Sequence, residues 1–360
     1  MTRAGWLMTG IPVLLVTGAA GVYLSGGDSV PESPDRVTEA TVTKARAALE
    51  ANAFRDVIRY TSTVSDEQPR AAELRLWEGI AYWNLDRWQA AEEAWNRALT
   101  IDRQIPEAGW RLLRDYQYEQ RFAEAEELVL RLYPSEPDEG DRTRLLLELI
   151  RQDNERPGPE AIVKTLEPVL ANEPNNVDAA RAVGTSYMQL GRTREGREML
   201  DRAWRLAPDD PEVRFSRIWF LHESGQIQDL GEACAGLPES LGQQARFLRY
   251  RGMWAEAAQR SEDAVEAYRA TLAADSADRK AHYQLARLLR TTGNEREAEQ
   301  HERMARELDE AREELAGRFI RAKQAGFELT GEDCAAFGRL CERLGRTRQA
   351  RCWSELSVRR

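Results

Sequence analysis

Two patterns of apolar and polar positions divide the chain. Residues 4–24 carry no charge and are mostly apolar, which is about the 20 residues a helix needs to cross a bilayer. Trp6 and Tyr23 lie near the ends of this run, where aromatic rings favour the membrane interface. It predicts a membrane anchor over residues 1–27. A cleavable signal peptide is the alternative, since Gly18 and Ala20 offer small residues at a suitable separation. The stretch 25–35 is rich in Gly, Ser, Pro and acid and predicts a flexible linker ending at residue 37. From residue 38 onward apolar and charged positions interleave to the end of the chain, and the pattern repeats. Phe54, Trp88 and Phe122 are 34 residues apart, and so are Val57, Ala91 and Ala125. The spacing predicts antiparallel helix pairs about every 34 residues.

That period, with Gly79, Tyr82, Trp88, Ala91, Trp95, Ala98 and Leu99 at fixed places in the second unit, resembles the tetratricopeptide repeat. A later unit carries Gly184, Tyr187, Gly191, Ala203 and Pro208, with Gly196 where the family usually has alanine. Ala264, Tyr268, Leu285, Gly293, Gly338, Gly345 and Ala350 continue the pattern. The resemblance implies an all-α, right-handed superhelical solenoid of about nine helix–turn–helix units, preceded by one N-terminal transmembrane helix. Units one to six would span residues 38–240. Units seven to nine, with a long connecting helix over 303–322, would span 241–360. Small residues, Gly79 against Ala91, would let the helices of a unit approach, while Tyr82 and Trp95 filled the space toward the next unit. Gly191, Gly293 and Gly345 would end first helices in the left-handed conformation, and Pro69, Pro137, Pro174 and Pro208 would stop second helices. Two departures, Arg156–Pro159 at the turn of the fourth unit and 236–240 at the early end of the sixth, are places where the array would bend or divide.

Composition agrees with helix and narrows the chemistry. Only 14 prolines and 24 glycines interrupt 360 residues rich in Ala, Leu, Glu and Arg. The net charge of −10, without a block of basic residues, argues against nucleic acid as a partner. The four cysteines, Cys234, Cys334, Cys341 and Cys352, form no C-x-x-C pair and are too few for a disulfide scaffold. Cys334 and Cys341 are separated by about 10 Å along one helix, too far to bond, whereas Cys352 on the next helix could reach Cys341. Three histidines in separate units, and the absence of nucleophile-elbow, zincin, phosphate-loop and dinucleotide motifs, predict no enzyme, no cofactor and no metal.

In the tetratricopeptide family the first helix of each unit lines the concave face, and mapping those positions gives two regions. The second and third units present Leu76, Ile80, Trp83, Asn84, Trp110, Arg114, Gln117 and Tyr118, an aromatic and apolar wall suited to a peptide. The seventh and eighth present Arg246, Arg249, Lys280, Tyr283, Arg287 and Arg290, a basic face suited to an acidic segment unless nearby glutamates pair with it. Phe215, Trp219, His222 and Glu223 lie between them. The Lys–Asn–Arg clamp of chaperone-binding members is missing, with Leu76 and Ile80 at its places in the second unit.

Arg3 precedes the apolar run, and Asp28, Glu32 and Asp35 follow it ahead of Arg36. The positive-inside bias then leaves the N-terminus in the cytoplasm and the repeats outside, in the periplasm if the cell is a bacterium. The function expected is a membrane-tethered scaffold that binds a protein or peptide. The alternative is an assembly or maturation factor that holds a substrate protein or a lipid-linked precursor for envelope biogenesis.

Overall fold

A computed structural model describes residues 34–103 and 105–359. The anchor and the linker up to residue 33 fall outside the described residues. The chain runs through α1 (Pro34–Glu50), α2 (Phe54–Thr61), α3 (Ala71–Asn84), α4 (Trp88–Ile101), α5 (Pro106–Tyr118) and α6 (Phe122–Leu132). After a 3-10 turn at Tyr133–Ser135 come α7 (Glu139–Asn154), α8 (Pro159–Asn172), α9 (Val177–Gln189), α10 (Thr193–Leu206), α11 (Pro211–Glu223) and α12 (Ile227–Ala235). The rest is α13 (Glu239–Gly242), α14 (Ala245–Ala257), α15 (Ser261–Ala274), α16 (Arg279–Thr291), α17 (Glu295–Gln324), α18 (Gly331–Arg343) and α19 (Thr347–Arg359). Among the described residues there is no strand. Phe54, Trp88 and Phe122 are the first residues of α2, α4 and α6, so the 34-residue spacing marks the start of each second helix.

The turn inside each pair repeats more strictly than the side chains do. One residue with positive φ stands at Asn52, Asp86 and Gln120, then at Gly191, Gly225, Gln259 and Gly293, and again at Gly345. Within each run these are 34 residues apart. Each is followed by a backbone amide that bonds five residues back, as Arg87 N to Tyr82 O at 3.0 Å and Arg121 N to Tyr116 O at 2.7 Å. The chain thereby reverses at the end of the first helix, and the second helix folds back along it. Glycine takes this conformation freely, whereas Asp86, Gln120 and Gln259 each cost about 1 kcal/mol there.

The crossing of the two helices depends on a second regularity. A Cβ added to Gly79 would lie 2.3–2.8 Å from the indole of Trp95. Gly184 meets Leu200, and Gly252 meets Tyr268, in the same relation sixteen residues on. Trp95 is fully buried and donates its Nε1 to Leu76 O at 3.2 Å. The expectation of Gly79 against Ala91, with Trp95 facing the neighbouring unit, is therefore corrected: Trp95 fills the crossing of its own unit. Only a residue without Cβ leaves room for the ring.

The fourth unit breaks the pattern. Its turn carries no left-handed residue; Glu155 and Gly158 are both extended or bridging with negative φ. The chain therefore does not fold back, and α7 lies against α6, α17 and α19 while α8 packs along α9. Helices α17–α19 return to α6 and α7 in the middle of the array and join the apolar core that runs from α1 to α7, in which Leu146 and Ile150 lie with Leu315, Phe319 and Leu356. Tyr133 donates to Cys352 O at 2.9 Å across this closure, and Gln349 donates to Glu126 at 3.1 Å. Arg348 pairs with Glu127 at 2.7 Å, Arg346 with Asp153 at 2.5 Å and Lys323 with Glu155 at 2.5 Å. The solenoid closes on itself. The expected long helix over 303–322 is the C-terminal part of the 30-residue α17, whose Phe319 is buried in that closure.

Gly79→Ala separates local from tertiary effects. Helix propensity alone favours alanine by about 1 kcal/mol. Overpacking against Trp95 opposes this by about 1–3 kcal/mol. Chemical denaturation should show net destabilisation; a stabilised variant would mean that the crossing is not tight.

Candidate functional site

Of the expected aromatic wall, Trp83, Arg114 and Tyr118 come together with Trp88 near the C-terminal ends of α3 and α5, while Leu76 is buried in the core. Trp83, half-buried, donates its Nε1 to Asp115 Oδ1 at 3.0 Å. Its ring stacks on Trp88 with centroids 5.7 Å apart, and Trp88 meets Tyr118 edge-on at 6.1 Å. The Arg114 guanidinium covers the other part of Trp83, 4.1 Å from the ring centroid, with Nε 3.7 Å from Asp115 Oδ1. Such a stack is worth about 0.5–2 kcal/mol and holds the indole in one orientation. Trp110 is half-buried against the first core. Asn84 is exposed and donates to Ile80 O at 2.8 Å, back onto its own helix. Gln117 is buried and accepts from Arg151 at 2.9 Å, so it faces α7.

The wall is partly covered by the chain itself. Trp83 and Tyr118 pack against an apolar cluster formed by α8 and α9 with Trp88, including Ile162, Leu166 and Val183. Trp88 is buried, as its signature position implies, but its neighbours come from the fifth unit as well as its own.

The basic residues have partners. Arg246 pairs with Glu212 at 2.5 Å and lies 5.1 Å over Phe215. Arg249 pairs with Asp278, and Arg287 with Glu256. Arg290 contacts Glu302 at 2.5 Å and Glu295 at 3.6 Å. Their charges are balanced within the array, which weakens the field that an acidic segment would meet. Trp219 is half-buried in the cluster of α11–α14, and Tyr283 is 58% exposed on α16. The structure thus does not gather the candidates into one site. Trp83, Arg114 and Tyr118 belong to the α3–α5 wall, Trp219 and Arg246 to α11–α14, and Arg249, Arg287 and Arg290 to α14–α17.

Other reactive groups are spent on structure. Burial pushes the Cys341 thiol up to about 12 and that of Cys234 up to about 11, which removes thiolate at neutral pH. His282 donates from Nε2 to Ser276 O at 3.0 Å, which leaves its Nδ1 to accept from His301 Nδ1 at 2.8 Å. Burial, and His282 beside it, lower the pKa of His301. Among the described residues no group of His, Cys, Asp or Glu is placed to hold a metal ion.

Two buried carboxylates, Asp115 and Glu119, were not among the expected residues. The only signal in the sequence is their position in the last turn of a helix whose other inward residues are apolar or aromatic. Burial pushes Asp115 up to about 7, against the opposing pull of Arg114. Its folded value then lies above the unfolded one, so folding takes up a proton. The protonated carboxyl is stabilising at low pH, and that contribution fades as pH rises from about 4 to 7. Asp115→Asn keeps the acceptor for Trp83 without the charge. Its melting temperature should fall less than that of wild type between about pH 5 and pH 8; parallel pH profiles would place the charge in solvent.

Models of the tetratricopeptide repeat match residues 42–107, 159–214 and 251–316, just over half of the chain together. The unmatched stretches include α7 and the closure by α18–α19. Among solved structures, "MamA 41-end from Desulfovibrio magneticus RS-1" is similar at 17% identity and TM-score 0.38, over 48% of this chain and 97% of that one. "MamA AMB-1 P212121" is similar at 21% identity and TM-score 0.37, over 47% and 97%. Likeness of this strength speaks to neither partner nor pathway. No curated protein matches the chain. With its turns repeating at 34-residue spacing and the repeat models matching just over half of it, the chain belongs to the tetratricopeptide-repeat family.

Proposed function

We propose that the protein is a membrane-tethered scaffold, held outside the cytoplasm, that binds a protein partner through the inner face of its repeats. The observation that carries this reading is a contrast among its aromatic residues. Trp95 and Trp353 are fully buried at helix crossings, whereas Trp83, Trp110 and Tyr118 stay half exposed on first helices. Half-exposed aromatics held rigid by stacking are the side chains that anchor partners with little loss of entropy. No constellation of nucleophile, base and orienting group stands beside them, which favours binding over catalysis. The tether rests on the apolar run at 4–24 and on the Gly-, Ser- and Pro-rich stretch after it; the linker expected to end at residue 37 gives way to α1 at Pro34. Among the described residues no helix is long and apolar enough to cross a membrane.

Affinity capture with residues 28–360, followed by mass spectrometry, should return a stable complex; a transient mixture of clients would favour an assembly factor. With that partner, Trp83→Ala combined with Trp110→Ala should cost about 2 kcal/mol or more, roughly thirtyfold in Kd, at every ionic strength. Arg287→Glu with Arg290→Glu should act mainly on association at low salt. Helicity is checked first, and two folded variants that bind like wild type would remove the groove from consideration.

Orientation has its own test. A C-terminal reporter active only in the cytoplasm should be silent, and an active one would reverse the assignment.

A further inference from the structure

The place where the array divides is also where its buried charge is least balanced. Helix α8 is joined to α7 only through residues 155–158, because α7 packs elsewhere. What holds α8–α9 against α4–α6 is the apolar cluster around Trp88 and, beside it, a group of acids that face two arginines. Arg121 spans Glu92 at 2.7 Å, Glu119 at 3.2 Å, Glu124 at 3.2 Å and Asp178 at 3.7 Å. Arg181 reaches across the seam to Glu119 O at 2.6 Å and contacts Asp178 at 3.3 Å. Asn176 donates to Glu119 and to Glu173, each at 3.4 Å, and Glu173 accepts from Gln89 N at 3.0 Å.

Every element at the seam contributes to this count. From α4 comes Glu92, from α5 Asp115 and Tyr116, and from the turn into α6 Arg121 and Glu124. From the far side come Glu173, Asp178 and Arg181, with Asp210 acting on Asp178. Glu119 and Arg181 are 4% and 3% exposed. Asp115 has Arg114 beside it, but Arg121 is shared among Glu92, Glu119, Glu124 and Asp178, and its one charge cannot neutralise them all around the buried Glu119.

We propose that the packing of α8–α9 on α4–α6 is a pH-sensitive hinge, closed while the Glu119 cluster keeps a proton and loosened when that proton is lost to solvent. The acids on opposite sides of the seam, Glu119 and Asp178, then repel. Burial first, and Asp178 second, raise the pKa of Glu119, while burial raises that of Asp178. A raised carboxyl pKa stabilises the closed seam below its folded value, and the contribution is lost as pH rises through it. Because α8 and α9 cover part of Trp83 and Tyr118, opening would also uncover the aromatic wall. The hinge itself does not depend on the wall being a binding site.

Hydrogen exchange on the full chain tests this directly. After correction for intrinsic rates, amides of α9 should exchange roughly tenfold faster at about pH 9 than at about pH 6, while those of α15 stay constant. Glu119→Gln removes the charge and should keep α9 protected at both values. If that variant does not fold, Asp178→Asn takes its place with the same expectation. Equal pH responses in α9 and α15, wild-type protection independent of pH, or a folded variant that responds like wild type would each overturn the proposal.

Discussion

The left-handed residue between the two helices of a unit is the constraint on which the rest of this structure depends. It reverses the chain in a single residue, and the amide bond that follows, reaching five residues back, locks the reversal. Where it is present, first and second helices lie side by side and can bring Gly79 to Trp95 or Gly252 to Tyr268. At residues 154–158 it is absent, and α7 and α8 go to different neighbours. One turn therefore decides between a uniform solenoid and an array divided in two.

The freed α7 would expose an apolar face in an ordinary solenoid. Here that face is covered by α17 and α19, and the covering turns an open array into a closed one. Repeat proteins usually need a polar face on each terminal unit. In this chain the last unit is buried against the third unit and α7, with Trp353 and Phe337 stacked at 4.8 Å within it. Closure links residues more than 200 positions apart, as in the Tyr133–Cys352 and Arg348–Glu127 contacts. Damage in the last unit is then felt at α6 and α7, unlike the nearest-neighbour behaviour of an open array.

Charge is used differently in the two regions marked as working surfaces. On α14–α17 each candidate arginine has an acid within reach, and the pairs tie one helix to the next. At the α5–α9 seam acids outnumber bases, and Glu119 among them is buried. The first arrangement stabilises modestly where its members reach solvent, as Arg287 and Arg290 do, while Asp278 is buried with Arg249 against it. The second makes the packing sensitive to protonation, because an excess of like charge away from water can be relieved only by taking up a proton or by opening.

The class of fold, the unit length, the turns at Gly191, Gly293 and Gly345 and the core role of Trp88 and Trp95 are legible in the chain alone, whereas the turns at Asn52, Asp86, Gln120, Gly225 and Gln259 are not. These are local properties: a 34-residue period, glycines at Gly191, Gly293 and Gly345, and Pro174 and Pro208 just past α8 and α10 can be read without knowing what lies opposite, although Pro69 does not stop α2, which ends at Thr61. The sequence also placed Arg156–Pro159 as a point of division. Only the tertiary structure decided what that division produces. That α7 would meet α17 and α19, that Trp95 would fill its own crossing, and that Arg287 would find Glu256 are pairings between distant residues. Asp115 and Glu119 were hidden for the same reason: a carboxylate in a helical period looks solvated until the helix that buries it is known. Spacing specifies the unit, but the partner of each face is chosen by the closed packing of all units together.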